Sequence, residues 1–168
     1  APSRRLCLRK VHDAWQLTRD GGPLFPSDCT EGVLYIVRNP LDVVASLANH
    51  LGVDLDAAIE KMGDREFFLG NKAEGITHQL PQRISSWSEH VRSWVDQSRL
   101  RIRVVRYEEL LRDPCRAFAE SAQFVGFPVD PDRVERAVAL SCFEELRRQE
   151  LSHGFKEAPS GCGASSAA

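Results

Sequence analysis

No apolar run in these 168 residues approaches the roughly twenty needed to cross a bilayer, and the opening A-P-S-R-R does not read as a secretory leader. Charge of one sign is also missing. A formal net charge of −2 gives no bulk attraction to nucleic acid or to an anionic membrane surface, so neither is expected as a partner. The five cysteines (Cys7, Cys29, Cys115, Cys142 and Cys162) are odd in number and contain no C-x-x-C pair. They read as free thiols of a reducing compartment, and a cytoplasmic location is expected. The histidines form no H-E-x-x-H pattern, so no metal is expected. A G-x-x-x-x-G-K-[ST] string and an acidic cluster suited to Mg²⁺ are both lacking, which disfavours a nucleoside or metabolite kinase.

What is there is one domain's worth of chain with strands and helices in alternation, which predicts an α/β fold with a parallel sheet. The start lacks Met and the end is the loop-like G-C-G-A-S-S-A-A (tail 157–168), so residues 1–168 are expected to be a single partial domain, cut at both ends. Alternating Leu6 and Leu8 predict a short strand over 4–10, and Asp54 caps a helix running to about Met62. Residues 63–82 hold Gly63, Gly70, Gly75 and Pro81 and read as a long surface segment, a lid or acceptor loop in which Phe67 and Phe68 offer an apolar wall. Ser85-Ser86 starts an amphipathic helix with Trp87, Val91, Trp94 and Val95 on its apolar face. A strand over Leu100 to Val105 follows, then helices opened by Asp113-Pro114 and Asp130-Pro131, and a last one by the capping-box spacing of Ser141 and Glu144.

Residues 33–50, V-L-Y-I-V-R-N-P-L-D-V-V-A-S-L-A-N-H, carry the most information. A buried strand, Val33 to Val37, stops at Arg38, and a helix starts at once with Asn39 as cap, Pro40 in the first turn and Asp42 at the positive end of the dipole. Ser46 lies on the Asn39 face, two turns in. An Arg fork and a neutral hydroxyl suit a phosphate. On geometry alone Arg38 serves equally as a structural cation paired with a carboxylate at the sheet edge. Lys10-Val11-His12 stands at the end of the preceding strand, the side of an open α/β sheet where ligands bind. His accepts a proton near neutral pH, although a lone His is more often structural.

The string R-N-P-L-D-V-V-A-S resembles the 3′-phosphate-binding segment of the PAPS-dependent sulfotransferases (PAPS is 3′-phosphoadenosine 5′-phosphosulfate). That segment has an Arg after a strand and a helical Ser eight residues on, which Arg38 and Ser46 match. The K-x-H segment resembles the family's catalytic segment, which implies His12 as general base on the acceptor and Lys10 as a stabiliser of charge on the transferring group. R-Y-E-E-L-L-R-D-P (106–114) resembles the segment whose Tyr contacts adenine, here Tyr107, while Glu108 and Glu109 read as the start of a helix. Ser141-Cys142-Phe143 resembles a Thr-Ser-Phe segment beside the adenine. There Phe143 would stack on the base, a contact worth about 1–3 kcal/mol in single-strand binders. Taken alone, a Phe in a capping segment is more often core. Finally, S-S-W-S-E-H-V-R-S-W resembles the family's G-S-W-x-x-H-V-x-x-W helix, its Trp residues taken as packing.

The resemblance runs in family order over residues 8–150. It implies the P-loop-NTPase-like sulfotransferase fold and sulfuryl transfer from PAPS, with release of 3′-phosphoadenosine 5′-phosphate (PAP), to a small-molecule hydroxyl or amine and without a metal. Two family elements are absent from these residues: the P-loop-like Pro-Lys-Ser/Ala-Gly-Thr string that grips the 5′-phosphosulfate, and the Arg-Lys-Gly segment. A module that binds the nucleotide without performing chemistry therefore stands as the alternative.

Overall fold

The computed structural model describes residues 6–70, 80–96 and 99–154. In chain order these form β1 (Val33–Val37), α1 (Pro40–Leu51), α2 (Leu55–Gly63), β2 (Phe68–Leu69), β3 (Gln82–Arg83), α3 (Trp87–Val95), β4 (Ile102–Arg106), α4 (Tyr107–Arg112), α5 (Pro114–Phe124), α6 (Pro131–Leu140) and α7 (Phe143–His153). β1 pairs with β4, its neighbour across a long crossover, in the parallel sheet of an α/β fold. Short polar side chains set most of the helix starts by satisfying orphan backbone donors. Asn39 Oδ1 accepts from Leu41 N–H at 3.0 Å, and Asp54 Oδ1 accepts from Ala57 N–H at 2.8 Å. Asp113 and Asp130 accept from Arg116 and Arg133 N–H at 3.1 and 2.9 Å. Gly52 ends α1 at φ 66°, a left-handed turn that costs a glycine little.

Contacts divide the chain into two compact units, Ala1–Val33 with Val53–Ile102 and Leu34–Gly52 with Arg103–Ala168. In the first, β2 and β3 form an antiparallel ribbon with Phe68 opposite Arg83 and Leu69 opposite Gln82, and α2 packs near α3. Its core holds Ala14, Ala58, Phe67 and Trp94, with Phe25 tilted against Trp94 at 5.2 Å between ring centroids. In the second, α4, α5, α6 and α7 pack in succession, and Ala48, Val105, Ala117 and Val134 are the buried apolar residues. An Arg103–Glu120 ion pair joins β4 to α5.

Three expectations need correction. Residues 6–10 form no strand, and residues 4–5 lie outside the described set. A strand exists by its ladder; with none here, Leu6 and Leu8 both stay exposed. The expected capping box at Ser141 does not form. Ser141 closes α6, its Oγ turned back onto Ala137 O at 2.9 Å, and Cys142 takes the N-cap of α7 without a side-chain bond. On α3, Val95 is exposed rather than part of the apolar face. Of the long 63–82 segment, 71–79 lies outside the described residues, as do the 157–168 tail and Cys162.

Candidate functional site

In the second unit, the end of β1 and the end of β4 bring Arg38 and Tyr107 together. The Arg38 guanidinium carbon sits 4.7 Å from the Tyr107 ring centroid, a cation–π stack. Arg38 Nε is buried without a hydrogen bond, and Asp42 Oδ2 lies 3.7 Å from it. That spacing, with the Arg38 side chain 39% and Asp42 52% exposed, makes a weak ion pair. The stack presents a planar fork held by a ring, which suits an anion adjoining an aromatic base.

Glu108 fixes this corner. Its Oε1 accepts the Asn39 main-chain N–H at 2.8 Å, tying the residue after Arg38 to the residue after Tyr107. That hydrogen bond, aided by Arg106 and Arg38 nearby, holds the Glu108 carboxyl below the usual carboxylate range. Sequence reasoning assigned Glu108 only to a helix start; a carboxylate two residues beyond a strand was the available signal. Ser46 is exposed on α1. Phe143 is 72% exposed at the first turn of α7, so it is not a core residue, and Ser141 precedes it at the α6–α7 junction.

In the first unit, Lys10 and His12 are both exposed. The chain just after them is tethered by α3 and β3. His90 Nε2 lies 3.0 Å from His12 O, and since a carbonyl only accepts, the imidazole donates. Trp94 Nε1–H donates to Asp13 O at 3.0 Å, and Trp15 N–H donates to Ser93 Oγ at 3.0 Å. Arg83 N–H donates to Asp13 Oδ1 at 3.0 Å, and Ala14 N–H donates to Arg83 O at 2.7 Å. Burial pushes the His90 ring below the ordinary 6.5, the His12 carbonyl bond opposing it, so the ring is neutral at pH 7. Phe67, expected on an acceptor wall, is only 8% exposed and belongs to the core, whereas Phe68 is half-buried.

Among the described residues no group of His, Cys, Asp and Glu is placed to hold a metal, and no helix is long and apolar enough to cross a membrane.

The fold is that of a parallel-sheet α/β protein. Residues 24–160 match the Sulfotransferase domain family, and the chain belongs to it. It is 28% identical over 122 residues to Sulfotransferase 2B1 of Rattus norvegicus, covering 72% of this chain and 34% of that protein. It is 26% identical over 125 residues to the 3-beta-hydroxysteroid sulfotransferase of Cavia porcellus, with 72% and 40% covered. The chain thus spans about a third to two-fifths of these relatives' length. Two solved structures share the fold. One is mouse sulfotransferase SULT7A1 complexed with PAP (TM-score 0.51, 21% identity, 69% of this chain and 40% of that one). The other is retinol dehydratase in complex with androsterone and inactive cofactor PAP (TM-score 0.57, 19% identity, 80% and 37%).

Proposed function

We propose that the chain carries the 3′-phosphoadenosine-binding and base-bearing parts of a cytoplasmic sulfotransferase that moves a sulfuryl group from PAPS to a small hydroxylated acceptor. The Arg38–Tyr107 stack carries this reading, since it is a ready fork and ring for a 3′-phosphate and its adenine. Exposed Phe143 supplies a second aromatic face, and Ser46 and Ser141 supply hydroxyls. PAP in the two structural neighbours' complexes supports the nucleotide. A hydroxysteroid in one relative's name supports a hydroxyl over an amine. The four cysteines among the described residues are unpaired, which suits a reducing compartment.

In this reaction His12 takes the acceptor's hydroxyl proton. The oxygen then attacks sulfur, the bond from sulfur to the 5′-phosphate oxygen breaks, and PAP leaves. Lys10 balances charge on the transferring oxygens. No metal is required, because proton removal and charge balance both come from side chains.

Calorimetric titration with PAP tests the donor half. The wild-type chain should bind and folded Arg38→Ala should not. Equal binding by the two would remove Arg38 from the site. Binding without turnover of PAPS would favour the nucleotide-binding module over the enzyme.

A further inference from the structure

We propose that His90 is a positioning residue for His12: its Nε2–H, donated to the His12 carbonyl at 3.0 Å, fixes the place from which the base reaches the acceptor. The inference rests on His12 acting as that base.

Residues 6–12 lie in no strand. Two successive peptide planes beyond His12 are held. The plane joining residues 12 and 13 is gripped at its carbonyl by His90. The plane joining 13 and 14 is gripped at both ends, by Trp94 Nε1–H on Asp13 O and by Ala14 N–H on Arg83 O. Fixing these planes fixes φ and ψ of Asp13 and the position of the His12 Cα, the pivot from which the imidazole reaches out. His90, Ser93 and Trp94 stand at helical spacing on one face of α3, and each holds a different residue of the 12–15 segment. Trp94 is 2% exposed and also supports the core, whereas His90 is only half-buried. Its one imidazole N–H goes to a main-chain oxygen of the base itself, which fixes the Nε2–H tautomer.

A residue acting this way shows up in turnover, not in nucleotide affinity. A base displaced by about 1 Å loses on the order of a hundredfold in rate. Steady-state transfer from PAPS to androsterone is compared for wild type, His12→Ala, His90→Ala and His90→Gln, each checked by thermal melt. His90→Ala should lower kcat by about tenfold to a hundredfold with KM for PAPS within about twofold, and His90→Gln, which keeps an N–H at similar reach, should recover most of it. Wild-type kcat in His90→Ala beside an inactive His12→Ala overturns the positioning role and leaves the base role standing. Normal turnover by His12→Ala overturns the base role itself, and the positioning role with it.

Should none of these chains turn over androsterone, ¹⁵N-histidine spectra decide. His90 as the Nε2–H tautomer, with His12 ring resonances that move in His90→Ala and return in His90→Gln, supports the assignment. The opposite tautomer, or an unmoved His12, overturns it.

Discussion

Glu108 shows how one side chain's charge is spent on geometry. Its carboxylate accepts the Asn39 N–H at the start of α1, so it favours the folded chain only while ionised. Its folded pKa lies below the ordinary 4.5, so the contribution is complete above that value and disappears as pH falls through the lower folded one. Wild type should lose stability over that acid window while Glu108→Gln shows a flatter dependence; parallel melting curves from pH 6 downward check it. Phe67 makes the opposite kind of prediction. Being core, Phe67→Ala should destabilise by about 3–5 kcal/mol, read by denaturant unfolding, before any effect on acceptor KM. At this scale the types and positions of Arg38, Tyr107 and Phe143 were legible because each sits where a strand or helix signal changes. That Glu108 and His90 bond to main-chain atoms 69 and 78 residues away was not, since such bonds leave no trace in local spacing.

Helices were the readable elements. Asn39, Asp54, Ser86, Asp113 and Asp130 all stand where the chain needs an acceptor for an orphan N–H, and each accepts one. Ser141 misled because a hydroxyl between two helices can serve either, and here the α6 carbonyls take it. β2 and β3 were invisible, since two-residue strands show no periodicity. Before α3 the structure holds one further surprise. Ser85 has φ 62°, the one non-glycine with positive φ among the described residues, and it is buried. Its N–H, like that of Ile84, donates to Phe67 O, which holds the turn in place. The helix motif that this stretch resembles has glycine here. Ser85→Gly should therefore raise stability by about 1 kcal/mol, a few degrees in melting temperature by calorimetry. A lower melting temperature would mean that the serine hydroxyl outweighs the strain.

For the molecule as a whole, the parallel pairing of β1 with β4 was foreseeable from two apolar runs separated by helices. The division into two compact units was not, because β1 and β4 each change unit within a residue of their first position. The first unit ties its 12–15 segment to the far end of its own sequence. Its four side-chain tethers span 70, 78, 78 and 81 residues. Each closes a long loop whose entropy must be surrendered before the bond repays it. Contact order of this kind slows folding and defers the non-local parts to the end. A chain emerging during synthesis can complete α1 and α2 while residues 12–15 are still untethered; His12 O, Asp13 O and Trp15 N–H gain their partners only when α3, most of a hundred residues later, has docked.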